Sequence, residues 1–344
     1  MPAVLLSQTY ASNHKLAVII LTSMIGYLVE PVTAGAETKL KPEPTKWTVS
    51  EPFKKSDEAR TNLSGAACVP TKPKFTSCLI ANDQKKYAQF FAIEGNVLVP
   101  GDLTLLSDKK KDPDAEGVAY ADGFFYVTGS NGRSRTGNKK NKASYAVCRF
   151  AADPATGIPK VKPNEKEVIG IKSSSRLRDA LQDDDKINAS FSKKLSKGGI
   201  NIEGIAVKEG RMHFGLRGPS KGSYAFVLSV EADALFTEDR SLKRKVTSLN
   251  LGKNTGIRDL AAVNDGILIL AGPTREERVD YAVWLWDGVG TKAKRLATLD
   301  LSAVAKGAKA EILFPLEEDN TNIRVLVMFD GVDDGGARSF LIPR

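Results

Sequence analysis

The sequence predicts an all-β fold, a β-propeller of five blades, because one short phrase recurs along the chain. The phrase is an acidic or small polar residue, a small residue, an apolar strand, a tight turn and a second apolar strand. It recurs at intervals of 52, 87, 56 and 52 residues, at Ser64, Glu116, Glu203, Asp259 and Glu311. Each interval contains about four strand signals. A repeat near 50 residues built only of strands is typical of propeller blades, which have four strands each.

Three copies of the phrase are clear, and each is predicted to form a hairpin. Their paired apolar runs are 201–207 with 212–216, 115–120 with 124–129, and 258–263 with 267–272. Short polar or glycine-containing segments separate the two runs of each pair, as in a β-hairpin. Two β-sandwich domains are the alternative architecture. They would explain the density of strands but not the recurring phrase.

The ends of the predicted ring and its longest interval depart from the repeated four-strand pattern. The last unit has only three strands, so we expect residues 47–53 to supply its missing outer strand and close the ring. In the second unit the outer strands are expected at 144–150 and 167–171. The segment 172–199 is rich in Ser, Asp and Lys. We interpret it as a loop or short helical excursion over one face, although a sixth, degenerate blade is possible there.

The amino terminus is predicted to be a signal peptide. Lys15 precedes a 14-residue apolar run at 16–29, and an A-x-A cleavage site follows at 34–36. This run is shorter than the roughly 20 residues that span a bilayer, so an uncleaved anchor is the alternative. We therefore predict a signal peptide at 1–36, an extended lead-in and closing strand at 37–62, and the propeller at 63–344. The mature protein is expected to be periplasmic or secreted, with no membrane span.

The cysteine pattern agrees with export. Cys68 and Cys78 lie on the two arms of one predicted hairpin, and thiols brought together in an oxidising compartment tend to pair. We predict a disulfide between them. Cys148 lies within an apolar strand and is expected to be a buried free thiol.

The charge of the chain limits its possible partners. The net charge of +9 is spread along the sequence, with only short basic clusters at 109–111 and 139–140. Clusters of this size are typical of solvated loops, so nucleic acid is not an expected partner. A small anionic ligand or a protein partner fits the dispersed positive charge better.

Propeller topology predicts where a site would form. The start of each innermost strand and the end of the second strand share one mouth of the central channel. The candidate residues at this mouth are Glu116, Glu203, Asp259, Glu311, Arg133, Arg217, Arg258 and Asp330. Like charges about 4 Å apart repel by on the order of 4 kcal/mol at an effective dielectric of 20, so the acids need compensation.

Two forms of compensation are possible. A Ca²⁺ ion held by Glu116, Glu203, Asp259 and Glu311 would leave the arginines free for an anionic ligand. Pairing of the acids with the arginines would instead use the arginines up. A third possibility for any single acid is packing, in which it accepts hydrogen bonds from backbone N–H groups of the neighbouring blade.

The same phrases resemble a known family. The segments A-E-G-V-A-Y at 115–120, N-I-E-G-I-A-V at 201–207 and G-I-R-D-L at 256–260 resemble an uncharacterised bacterial domain-of-unknown-function family. That family is itself similar to esterase-like phytase propellers, and the resemblance covers roughly residue 62 to the carboxyl end. It implies phosphoester hydrolysis at a metal-bearing funnel, which would involve Glu116, Glu203, Asp259 and Glu311.

The sequence contains no complete catalytic motif. It has no H-E-x-x-H pair. G-P-S-K-G at 218–222 matches G-x-S-x-G, but a strand rather than the helix of a nucleophile elbow is predicted after it. His213, the one histidine of the mature chain, is expected to be structural. We therefore favour an exported ligand- or partner-binding module with an acid- and arginine-lined funnel. The alternative is a Ca²⁺-dependent, phytase-like phosphoesterase, so whether the protein is an enzyme is left open.

Overall fold

Five small sheets stand in a ring around a central axis, which confirms the five-bladed propeller. The computed structural model describes residues 38–53, 60–70, 77–83, 86–106, 112–133, 138–162 and 166–344. The predicted signal peptide lies outside the described residues. Within them, no helix is both long and apolar enough to cross a membrane.

Each blade is an antiparallel sheet whose strands follow in chain order from the axis outward. Blade 1 has β2 (Leu63–Cys68), β3 (Cys78–Asn82), β4 (Tyr87–Glu94) and β5 (Val97–Leu105). Blade 2 has β6 (Ala115–Ala121), β7 (Phe124–Gly129), β8 (Val147–Ala151) and β9 (Lys172–Ser174). Blade 3 has β10 (Asn201–Lys208), β11 (Arg211–Lys221), β12 (Tyr224–Glu231) and β13 (Lys245–Asn250). Blade 4 has β14 (Thr255–Val263), β15 (Gly266–Pro273), β16 (Ala282–Trp286) and β17 (Ala293–Thr298). Blade 5 has β18 (Lys309–Glu318), β19 (Asn322–Asp330) and β20 (Arg338–Pro343).

The core lies between the blades rather than within any one of them. Successive side chains of a strand point to opposite faces of its sheet. In β12, Ala225 and Val227 pack with blade 4, whereas Phe226 and Leu228 pack with the blade 2 side. Five such apolar clusters fill the five interfaces between neighbouring blades. Because both faces of each sheet are covered in this way near the axis, the inner strands are mostly buried on both sides.

The amino-terminal segment ties the ends of the ring together, but its strand pairs differently from the prediction. Strand β1 (Thr48–Val49) lies parallel to β5 of blade 1 and does not complete blade 5. Before reaching β1, the segment donates from the Glu43 amide to the carbonyl of Ser339, which lies in blade 5. The indole Nε1 of Trp47 lies 3.1 Å from Ser339 Oγ. The segment thus crosses the outside of blade 5, where it makes single contacts, and forms a ladder at blade 1.

The long interval holds an excursion and no extra blade. The outer strand of blade 2 is β9, not the predicted 167–171. Helix α1 (Leu177–Gln182) follows and buries Leu177 and Leu181 against blades 2 and 3. A 3-10 turn at Leu195–Lys197 then lies at the mouth where the inner strands begin, because the carbonyl of Ser196 accepts from Arg275 Nη1 at 3.3 Å. A second short helix, α2 (Ala232–Leu235), follows β12.

The predicted disulfide between Cys68 and Cys78 is present, and Cys148 is buried, with its Sγ 3.4 Å from the Leu106 carbonyl oxygen. The bridge joins β2 to β3 at the end of the first hairpin. The tip of this hairpin, residues 71–76, lies outside the described residues.

Candidate functional site: an ion-paired cluster on the propeller axis

Each inner strand carries a β-bulge at the same level of the channel. At this bulge one residue of the inner strand has no partner in the second strand of its blade. From blade 1 to blade 5 the bulged residues are Gly65, Glu116, Glu203, Arg258 and Glu311. A bulge redirects the side chain that it carries. Three carboxylates and one guanidinium are therefore set around the axis by the backbone itself.

The bulges correct the predicted equivalence of Asp259 with the three glutamates. In blade 4 the bulged residue is Arg258, and Asp259 has returned to the ladder. The two carboxylate oxygens of Asp259 accept from the amides of Leu260 and Leu313, each at 2.8 Å. Leu313 belongs to blade 5. Asp259 therefore fastens two blades together, as expected for an acid that serves packing.

Blade 1 contributes no side chain to the ring because its bulged residue is Gly65. This residue has a φ of +61°, and a Cβ atom there would lie 2.6 Å from the Cα of Gly117. A larger residue would therefore clash with the backbone of blade 2. The neighbouring Ser64 takes part instead, and its Oγ donates to Glu311 Oε2 at 3.2 Å.

The arginines compensate two of the three carboxylates. Arg258 is fully buried, and its Nη2 donates to Glu311 Oε1. Its Nε lies 3.1 Å from Glu203 Oε2, but both atoms lack a geometrically correct hydrogen bond, so this contact is electrostatic only. Arg217, which comes from the second strand of blade 3, donates from Nη1 to Glu203 Oε1 at 2.7 Å. We call Arg217, Arg258, Glu203 and Glu311 the axial cluster. Burial lowers the pKa of Arg258, but the two glutamates outweigh it and the pKa is raised.

Glu116 is the carboxylate without an ionic partner. It is buried, and it makes no hydrogen bond or ion pair with any residue that the structure describes. Burial raises its pKa well above the ordinary value, and the nearby carboxylates of Asp114, Glu203 and Asp83 raise it further. Burial also raises the pKa of Glu311 to about 7, although Arg258 opposes this shift. Burial therefore favours the protonated form of both carboxyl groups on the axis.

The acids do not form the calcium cage that the resemblance implied. Calcium takes six to eight oxygen ligands. In the described part of the chain, no three acid, cysteine or histidine side chains come close enough to share an ion. Asp259 is saturated by backbone amides, and Glu203 and Glu311 already face guanidinium groups. These residues therefore do not fit the ion.

Two other predicted site residues lie outside the axial cluster. Arg133 donates from Nη1 to the carbonyl of Asn138 at 2.9 Å, beside the insertion. Asp330 is at the mouth but is paired with Lys309 at 3.0 Å. The prediction missed Lys309 because it considered only the residues next to each phrase. Its position two residues before Glu311, at the start of the inner strand, was the available signal.

A small recess opens at the mouth beside the axial cluster, and we call it the upper recess. Its volume is about 200 Å³, and it lies between blades 4 and 5. The charged and hydroxyl side chains that line it are Arg217, Arg258, Arg275, Glu276, Glu277, Tyr281 and Lys309. Burial raises the pKa of Tyr281, so its hydroxyl is a neutral donor at physiological pH. The Nη2 group of Arg217 has no hydrogen-bond partner among the described residues.

A larger cavity, which the sequence did not predict, lies below the axial cluster. This lower cavity has a volume of about 680 Å³ and is lined by all five inner strands. It begins one to three residues past each bulge, at Ala66, Val118, Ile205, Leu260 and Phe314. The axial cluster therefore divides the channel into a polar upper mouth and an apolar lower half.

His213 plays no part in either half. It is buried, its Nδ1 lies 2.9 Å from Ser229 Oγ, and its ring meets the edge of Trp286. Burial, together with Arg211, lowers its pKa to about 4. A neutral, enclosed imidazole agrees with the expected structural role.

Comparison with protein families supports the resemblance to a domain of unknown function. Residues 77–156 and 153–338 match the family described as "Protein of unknown function (DUF3616)". The chain belongs to this family. A search of curated proteins found no match.

Solved structures share only the general fold with this member of the family. Hydrazine synthase from Kuenenia stuttgartiensis is 11% identical, with a TM-score of 0.37 over 81% of this chain and 59% of that one. An exo-β-1,3-galactanase from Phanerochaete chrysosporium is 9% identical, with a TM-score of 0.46 over 88% of this chain and 64% of that one. A calcium-binding protein, regucalcin, from Agrobacterium tumefaciens is 11% identical, with a TM-score of 0.38 over 87% and 96%. This chain thus spans about three fifths of the length of the first two, 59% and 64%.

Proposed function

We propose that this protein is an exported binding module that takes a small anionic ligand in the upper recess. The observation that carries the proposal is the pair of buried guanidinium groups, Arg217 and Arg258, that line the recess. Arg217 keeps its Nη2 donors available after bonding Glu203 and the carbonyl of Thr274. Guanidinium donors match carboxylate and phosphate oxygens in number and direction. The recess is large enough for a phosphate or a short carboxylic acid.

The rim of the recess adds two cations that, unlike Arg217 and Arg258, are partly exposed. Lys309 reaches it from the first position of β18 and Arg275 from the loop after β15. They are paired there with Asp330 and Glu277. These rim pairs are partly exposed, and exposed pairs are each worth only about 0–1 kcal/mol. A bound anion can therefore compete for Lys309 and Arg275 at little cost. The buried pairs keep the positions of Arg217 and Arg258 fixed.

Export is part of the same proposal. The disulfide between Cys68 and Cys78 supports it, because such bridges persist in oxidising compartments. The apolar run at 16–29 followed by A-x-A at 34–36 supports it as well.

Calorimetric titration of the mature protein with inorganic phosphate and with succinate, at low ionic strength, tests the ligand class. Lys309→Gln should weaken binding roughly five- to tenfold without disturbing the buried pairs. Lys294→Gln makes the same charge change on the exposed outer strand of blade 4 and should leave the affinity unchanged. Binding that neither substitution alters, or no binding of either anion, would contradict the proposal.

A parallel assay addresses the phosphoesterase alternative. Turnover of a generic phosphoester that requires Ca²⁺ and is lost with EDTA would favour that alternative over a binding module. Glu116→Gln is then the informative variant, because this acid lacks an arginine partner.

A further inference from the structure

We propose that the lower cavity is a second binding site, separate from the upper recess, and that it takes a cationic amphiphile. Its volume of about 680 Å³ lies within the 300–1,000 Å³ range of pockets for drug-sized ligands. All five inner strands contribute to its wall, so its shape is set by the ring as a whole.

The wall of the lower cavity is apolar and built largely from small side chains. Six alanines line it, together with larger apolar residues of the same strands: Ala66, Ala67, Ala119, Ala206, Ala261 and Ala262. Small residues on converging strands leave the central space open, whereas larger ones would fill it. Strand β18 follows the cavity from Phe314 to Glu318, which is roughly 13 Å at the rise of a β-strand. An elongated apolar chain suits a space of this depth.

The upper end of the lower cavity is closed by the axial cluster. The lining residues Ile205 and Leu260 stand two positions beyond Glu203 and Arg258, which pair across the axis. An apolar ligand that enters from below therefore meets buried ion pairs at the top. Its polar end must remain at the lower rim.

The lower rim selects a positive charge for that polar end. Of the described residues that line the cavity, two are carboxylates, Glu317 and Glu318, and none is lysine or arginine. Glu318 is paired with Arg344 at 2.6 Å. Just outside the lining, Lys208 is held by the carbonyls of Val263 and Asn264. Glu317 is exposed and has no ion pair within the described part of the chain, so it is available to a ligand.

Fluorescence of N-phenyl-1-naphthylamine, an uncharged apolar probe, tests whether the cavity takes apolar molecules. We expect binding with a blue shift and saturation at one probe per chain. Ala261→Phe and Ala67→Phe, which fill the cavity from blades 4 and 1, should each reduce probe affinity at least tenfold. Ala151→Phe, at an exposed alanine on β8, is the matched control and should have no effect. Melting temperatures measured alongside show which variants are folded.

Displacement of the probe by decylamine and by decanoate tests the charge preference. The two compounds have chains of equal length and opposite charge. Decylamine should displace the probe at a concentration at least tenfold lower than decanoate, and Glu317→Gln should remove most of this difference. Equal displacement by both compounds, a preference for decanoate, or probe binding that survives both cavity-filling substitutions would overturn the proposal. Because none of these variants touches the upper recess, the outcome is independent of anion binding there.

Discussion

Replacement of Arg258 by methionine removes a cation that lies between two carboxylates on the axis. Arg258 has no solvent exposure, and its guanidinium contacts Glu203 and Glu311. Without it, Glu203 keeps Arg217, while Glu311 keeps, among the described residues, the hydroxyl of Ser64. Loss of one partner from a buried pair costs about 3–5 kcal/mol, because it leaves a buried charge without compensation. With an unfolding entropy of about 2.1 cal/mol/K per residue, this corresponds to a melting temperature roughly 5–8 °C lower.

Urea denaturation and calorimetry at pH 7.5 measure this effect. Arg240→Met is the control, because the side chain of Arg240 is 55% exposed and its removal should cost well under 1 kcal/mol. Adding Glu311→Gln to Arg258→Met should recover part of the loss, because glutamine avoids both an uncompensated carboxylate and the cost of protonating Glu311 at this pH. A loss below about 1 kcal/mol for Arg258→Met, or no recovery in the double variant, would refute the reasoning.

Three further predictions concern Glu311, Asp259 and the disulfide. The pKa of Glu311 is about 7 in the folded protein, against an ordinary value of 4.5, so the folded state binds this proton more tightly. Proton binding by Glu311 therefore stabilises the folded state fully below pH 4.5, and this contribution of up to roughly 3 kcal/mol is lost as the pH rises through 7. Glu311→Gln should flatten that part of the curve of unfolding free energy against pH. Asp259→Asn leaves one backbone amide, that of Leu260 or of Leu313, without its acceptor and should cost about 1–3 kcal/mol in urea unfolding, while phosphate affinity stays unchanged. Replacing Cys68 and Cys78 by serine opens a short loop and should cost about 2–3 kcal/mol, measured against the oxidised protein by thermal unfolding; an unchanged melting temperature would contradict this.

The number of blades was predictable because every blade contains the repeated phrase, an apolar inner strand, a tight turn and a second apolar strand. The position of the acids was predictable only in part. Matching residues by charge aligned Asp259 with Glu203, whereas the bulges align Arg258 with Glu203. The apolar residues of the two strands give the correct alignment. Placing Ile257 against Ile202 sets Arg258, rather than Asp259, opposite Glu203.

Other features depend on packing across the ring and left no local signal. The parallel pairing of β1 with β5 depends on where the amino-terminal segment is held against blade 5. The lower cavity depends on five inner strands converging on one axis, four of which line it with alanines. Each strand alone resembles an ordinary buried strand. Glycines were more informative. A Cβ atom on Gly117 would lie 2.7 Å from the Glu203 carbonyl oxygen, so this glycine permits the close approach of the backbones of blades 2 and 3.

The central claim is that arginines compensate the acids of the channel and leave separate spaces above and below. Structures determined from crystals grown with Ca²⁺ and, separately, with phosphate test this claim most directly. We predict that Arg258 remains between Glu203 and Glu311, with phosphate in the upper recess against Arg217. A calcium ion coordinated by Glu116, Glu203 and Glu311, with the Arg258 side chain displaced, would contradict the account.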